Sequence, residues 1–192
     1  MLEVGCGTGE RSVQIALRCA QLVGIDPDTK RIQIAKKRAS INASFHCERI
    51  QQTILSENFD VIIFALSLHH VAPSSMRRAI NQAVRLTQPD GFIVFLEPGT
   101  EGSFFETEIK FGACDGDESK VKEAAYLAMQ KHPALMLVEE ISDYVILRFD
   151  DTPDFIASMK PVKDVHILES FLSRHNHFLK ASVRINIYKL RS

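Results

Sequence analysis

Apolar residues fall along this chain in two alternating rhythms. Short apolar runs of the length of buried strands are separated by stretches in which apolar residues recur every three or four positions, as on one face of a helix. Leu2 to Val4 reads as a strand stub, with Val13, Ala16, Leu17 and Ala20 following at helical spacing. Leu22 to Ile25 forms a second strand, and the helix after it would bury Ile32, Ala35 and Ala39; Ser44 to Cys47 makes a third, weaker strand. Asp60-Val-Ile-Ile-Phe-Ala-Leu66 does not alternate, so both of its faces are expected to be covered. Pro73, tolerated in a first helical turn, opens a helix that offers Met76, Ile80, Ala83, Val84 and Thr87 to the sheet. Gln88-Pro-Asp-Gly91 reads as a break before the strand Phe92 to Glu97. Repeated units of this kind predict an α/β fold, a mostly parallel sheet between two layers of helices.

After Pro98-Gly99 the rhythm changes. Residues 100–135 carry helical composition without a strand and are expected to form a helical insertion or lid. Two longer segments, Glu139 to Phe149 and Ala181 to Leu190, alternate more clearly, with Val183, Ile185 and Ile187 set against Arg184, Asn186 and Tyr188. They predict an antiparallel edge, and they enclose a helical stretch from Pro153 to about His175. Without repeats, low-complexity tracts or a linker, the chain reads as one domain over 1–192: a first half 1–99, the insertion 100–135, and C-terminal strands and helices 136–192.

Composition narrows the partners. Lys plus Arg (23) nearly balances Asp plus Glu (24), so no large field favours nucleic acid or an acidic membrane, and a small molecule is the expected partner. The basic cluster Lys30-Arg31 with Lys36-Lys37-Arg38 falls at helical spacing, as on a solvated helix face. Cys6, Cys19, Cys47 and Cys114 form no C-x-x-C pair, and no basic leader precedes a long apolar run, which fits a reduced, cytoplasmic protein. Every apolar run is far below the ~18 residues a spanning helix needs. The oligomeric state is not legible.

Chemistry concentrates where the first strand turns into a helix. Gly5, Gly7 and Gly9 supply positions for positive φ or for close approach of a ligand to the backbone. The spacing is G-x-G-x-G; Glu10 stands where a dinucleotide loop needs its last glycine, and no Gly-Lys-Ser/Thr follows as in a phosphate loop. A carboxylate at Glu3 would repel a pyrophosphate but suit an ammonium or sulfonium centre.

Leu2-Glu3-Val4-Gly5-Cys6-Gly7-Thr8-Gly9 resembles the first motif of the class I S-adenosylmethionine-dependent methyltransferases, in particular the methyltransferase-domain group that acts on small molecules. The resemblance covers about Leu2 to Pro98. It implies S-adenosylmethionine as cofactor, S-adenosylhomocysteine as product, and a Rossmann-like, doubly wound sheet of seven strands in the order 3-2-1-4-5-7-6 with an antiparallel last strand. Glu3, Gly5, Cys6, Gly7 and Gly9 would meet the cofactor first. Asp26, 21 positions after Gly5, would hold the ribose hydroxyls, with Pro27 beside it. Glu48 would approach the adenine amino group and Arg49 would offer a backbone N–H. Ala65, Leu66 and Ser67 would line the methionine part, and Gln88-Pro89-Asp90-Gly91 matches the family's turn before the fifth strand.

The implied activity is methyl transfer to a small acceptor through oxygen, nitrogen or carbon; the alternative is a non-catalytic S-adenosylmethionine-binding sensor or accessory protein. Candidates for a general base are His69 and His70, in Ser67-Leu68-His69-His70, and Glu97 at the end of the fifth strand. In an extended segment adjacent histidines point oppositely, so at most one would face the cofactor. The pair is not expected to bind a metal, for neighbouring residues seldom converge on one ion. Family members carry helices upstream of this motif, whereas here the first residue already lies in the central strand. A missing N-terminal cap, a site open on one side and weakened activity are therefore expected.

Overall fold

The computed structural model describes residues 1–191. Seven strands form one sheet: β1 (Leu2–Val4), β2 (Leu22–Asp26), β3 (Ala43–Cys47), β4 (Phe59–Ala65), β5 (Thr87–Pro98), β6 (Leu135–Arg148) and β7 (Phe178–Leu190). Their order is β3-β2-β1-β4-β5-β7-β6, parallel except for an antiparallel last strand, as expected. The helices are α1 (Glu10–Ala16), α2 (Thr29–Arg38), α3 (Pro73–Leu86), α4 (Ser103–Phe111), α5 (Ser119–Gln130), α6 (Thr152–Met159) and α7 (Leu168–Arg174). No helix among the described residues is long and apolar enough to cross a membrane.

The chain divides into two compact units, one of Met1–Glu97, Ala124–Glu140 and the residues from Ile185 on, the other of Pro98–Glu123 and Ile141–Arg184. The helical stretch 100–135 is thus shared, α4 belonging to the second unit and most of α5 to the first. In the first unit β1 pairs on both sides, Leu2 opposite Val23 and Ile62, Val4 opposite Ile25 and Phe64. Pairing on both edges and cover on both faces bury all three of its residues. The core gathers Leu2, Ile25, Ile62, Phe64, Met76, Ile80, Leu86, Ile93 and Phe95. Phe64 stacks on Phe95 at 4.9 Å, and Tyr188 meets Phe95 edge-on at 5.8 Å. The second unit has a core of its own, led by Phe111, Phe149, Phe155 and Phe171. Within it Lys122 and Glu108 form a buried ion pair at 2.5 Å.

Local departures from the sequence pattern have physical causes. The helix after the glycine loop stops at Ala16, so it buries Ser12 and Ala16 while Leu17 stays 72% exposed and Ala20 lies outside it. Ala39 is the exposed C-cap of α2 and not part of its buried stripe. In α3 the inward positions include Ala79 and Leu86, and Thr87 already belongs to β5. Gln88-Pro-Asp-Gly91 does not interrupt the strand: Phe59 pairs with Thr87 and Val61 with Phe92, so the four residues are accommodated as an irregularity within β5. Gly91 permits it, since a Cβ there would lie 2.9 Å from the Asp60 carbonyl oxygen.

Gly9 has a packing role. Its φ is +75°, and an added Cβ would come within 3.0 Å of Ala35 Cβ and 3.3 Å of the Phe45 ring. Gly9→Ala is expected to lower stability by about 2–4 kcal/mol, from left-handed backbone strain plus overpacking. The fall in the midpoint of denaturant unfolding measures it, and an unchanged midpoint would refute the close α1–α2 approach.

Candidate functional site

Parallel α/β sheets place their loops for ligand binding at the carboxyl ends of the strands. Here β1, β2, β3 and β4 end at Val4, Asp26, Cys47 and Ala65, all within the first unit. After Val4 the chain reverses through Gly5 (φ +78°) and Gly7 (φ +55°), with the Gly5 and Cys6 N–H groups both donating to the Ile25 carbonyl. A Cβ at Gly5 would collide with Ser67, whereas one at Gly7 would meet nothing within 4 Å. Gly5 therefore lets two loops touch, and Gly7 presents bare backbone to open space.

Asp26 ties this loop to β2. Its Oδ2 accepts from the Gly7 N–H at 2.9 Å and its Oδ1 from the Asp28 N–H at 2.9 Å, at 6% exposure. Asp-Pro-Asp also reads as a helix start, and that role falls to Asp28, whose side chain caps α2 by accepting from Lys30 and Arg31 N–H groups. The Arg31 N–H leads the causes that hold the Asp28 carboxyl below its ordinary value. Asp26 is left to the loop.

Two clefts open at these strand ends; Asp26 lines neither, but its partner Gly7 lines one and its neighbour Pro27 the other. One, of about 390 Å³, is lined by Gly5, Cys6, Gly7, Thr8, Glu10, Arg11, Arg31, Ala65 and Leu66. The other, of about 490 Å³, is lined by Pro27, Cys47, Glu48, Arg49, Gln52 and Ile54. Eight of the residues named from the sequence, Gly5, Cys6, Gly7, Pro27, Glu48, Arg49, Ala65 and Leu66, thus line one of these two clefts. Glu48 is also engaged inward, accepting from the Thr53 hydroxyl at 2.5 Å and the Ile54 N–H at 3.4 Å. Leu66 sits at φ +56°, a left-handed conformation uncommon outside glycine, with its N–H donating to the Leu96 carbonyl at 2.7 Å.

Other named residues are placed differently. Glu3 is fully buried: the Ser12 hydroxyl donates to its Oε2 at 2.5 Å, Arg11 Nη1 stands 4.0 Å from its Oε1, and it lines neither cleft. Burial pushes its carboxyl above the ordinary value, with Ser12 and Arg11 pulling it back. Cys6, although it lines the first cleft, also packs with Ile32, Ala35 and Phe45, and burial beside Glu3 and Asp26 raises its pKa to about 12.

His69, His70 and Glu97 do come together. Glu97, 5% exposed, accepts the Ser67 and Leu68 N–H groups on Oε1 (3.3 and 2.9 Å), and the His69 N–H (3.3 Å) and His69 Nδ1 on Oε2. The segment is a turn and not an extended strand, so the two imidazoles do not diverge; their centroids lie 4.0 Å apart. Ser67 closes the arrangement by donating its hydroxyl to the Val4 carbonyl at 2.7 Å. Sequence reasoning missed Arg11, whose Nη1 donates to the Ala65 carbonyl at 3.1 Å, and Ser12, the partner of Glu3. The only signal for either was its place directly after the glycine loop.

Comparison with known proteins agrees with this geometry. Residues 1–91 match the family described as a methyltransferase domain. The chain is 30% identical over 95 residues to an uncharacterized methyltransferase of Oceanobacillus iheyensis, covering 50% of this chain and 45% of that protein. It is 29% identical over 114 residues to the malonyl-acyl-carrier-protein O-methyltransferase of Bacillus cereus, covering 58% of this chain and 41% of that protein. The chain spans a little under half the length of these curated relatives. The fold is shared with the N-methyltransferase NodS of Bradyrhizobium japonicum, solved with S-adenosyl-L-homocysteine, at a TM-score of 0.56 and 20% identity, over 96% of this chain and 76% of that one. Residues 1–91 are thus similar to a methyltransferase domain, and the chain shares its fold with a solved methyltransferase.

Proposed function

We propose that the protein transfers a methyl group from S-adenosylmethionine to a small-molecule acceptor. The observation that carries this reading is Asp26, which joins the bare backbone of Gly7 to the second cleft through its neighbour Pro27. A ligand with an amino-acid end, a ribose and a base has a place for each part: the first cleft, the Asp26 carboxylate and the second cleft. Gly7, Ala65 and Leu66 would hold the amino-acid end, Asp26 the ribose hydroxyls, and Glu48 and Arg49 the base. The cofactor supplies an electrophilic methyl on a sulfonium leaving group. The remaining work of the chain is to place the acceptor in line and to take its proton.

For the proton, His69 is the candidate. Glu97 accepts from Nδ1, so Nε2 keeps its lone pair, the tautomer a general base requires. His70 lies against that ring and Glu97 orients it. Near-balanced charge supports a small acceptor over nucleic acid. Four free cysteines support a reducing, cytoplasmic setting.

Calorimetry with S-adenosylhomocysteine is expected to show saturable one-to-one binding and thermal stabilisation. NADH is expected to do neither, because no glycine completes a dinucleotide loop. Binding of NADH with silence toward S-adenosylhomocysteine would overturn the reading.

A further inference from the structure

Burial of Glu3 leaves the amino-acid end of the cofactor without the partner that the sequence assigned to it. Arg11, not Glu3, lines the first cleft. We infer that Arg11 binds the cofactor's carboxylate and that Glu3 acts through it as a positioning residue; the inference rests on S-adenosylmethionine being the ligand.

The guanidinium is held from one side only. Nη1 donates to the Ala65 carbonyl at 3.1 Å, which carries the side chain from α1 to the end of β4 at the wall of the first cleft. The same nitrogen lies 4.0 Å from Glu3 Oε1. Among the described residues Glu3 Oε1 is buried with no hydrogen-bond partner, its other oxygen being taken by Ser12, so the nearby cation is what compensates it. Such a carboxylate favours a fixed position for the cation beside it.

What remains of the guanidinium is available. Among the described residues Nε and Nη2 make no hydrogen bond, and the side chain is 43% exposed. Guanidinium has five donors in a planar fork, the geometry that matches a carboxylate through two parallel bonds. Of the neighbouring cations, Arg38 donates to Thr8, and Arg31, on the wall of the same cleft, is drawn toward Asp28 at 3.9 Å at the start of α2. Glu10, beside Arg11 on the same cleft, adds the opposite charge, so the two residues together complement the zwitterion of an α-amino acid.

The test uses two ligands that differ only at this end. S-Adenosylhomocysteine carries the amino acid; methylthioadenosine keeps the adenosine and sulfur without it. By calorimetry, Arg11→Gln is expected to weaken S-adenosylhomocysteine ~10- to 100-fold and to leave methylthioadenosine within ~2-fold. Arg11→Lys, a point charge without the fork, recovers part of the loss. Glu3→Gln keeps an oxygen for Ser12 but removes the charge facing Arg11, and weakens S-adenosylhomocysteine alone by a smaller factor. Equal weakening of both ligands would make Arg11 a loop clasp and overturn the inference. Unchanged S-adenosylhomocysteine binding with a raised KM for the acceptor would assign the guanidinium to an acceptor carboxylate, and overturns it too. In either case wild-type binding preserves the functional reading, whereas wild-type protein that binds neither ligand defeats both. Arg11 is exposed enough for its variants to fold, so the result does not depend on Glu3→Gln.

Discussion

Glu97→Ala is expected to lower stability by about 3–5 kcal/mol, the range for removing one partner of a buried charged network. The two oxygens of Glu97 collect four hydrogens, three from consecutive backbone N–H groups and one from His69 Nδ1. Alanine strands all four in a site that holds Glu97 at 5% and Leu68 at 0% exposure. Glu97→Gln keeps one oxygen and loses less, because part of the loop remains capped. Denaturant unfolding compares the two. A loss below about 1 kcal/mol for alanine would mean that water replaces the carboxylate easily, and the ordered turn at His69 would need another explanation.

Asp26→Ala is expected to weaken S-adenosylhomocysteine binding by roughly 100-fold, about 3 kcal/mol. Two effects add. The ribose loses its acceptor, and the Gly7 N–H loses the bond that fixes the loop, so the ligand must order a backbone already in place in the wild type. Asp26→Asn separates them: its carbonyl oxygen retains one acceptor for the loop while the charge disappears, and an intermediate loss is expected. Binding within about threefold of wild type for alanine would remove Asp26 from the site.

How much of this was visible beforehand depends on the range of the interactions. Gly5, Gly7 and Asp26 were legible because their roles are local: positive φ, bare backbone, and an acid at a strand end. Glu3 was misleading. In a half-buried strand its neighbours would reveal which way it points, but Leu2, Glu3 and Val4 are all buried, so alternation carries no signal. Gly9 looked like a ligand contact because packing against Ala35, 26 residues away, leaves no trace in the loop itself. Arg11 drew no reading, because its bond to Ala65 spans 54 positions. The strand order was implied by family resemblance, whereas the second unit, assembled from 98–123 and 141–184, rests on long-range packing that periodicity does not encode.

Leu66 sets stability and binding against each other. Its left-handed backbone costs about 1–2 kcal/mol relative to an ordinary conformation, and glycine would remove that strain. Glycine would also strip the side chain from the wall of the first cleft. A programme of thermostabilisation guided by unfolding alone would choose Leu66 early and erode the cleft as the melting temperature rose. Any engineered descendant of this protein should therefore be screened at this position for ligand affinity as well as for heat resistance.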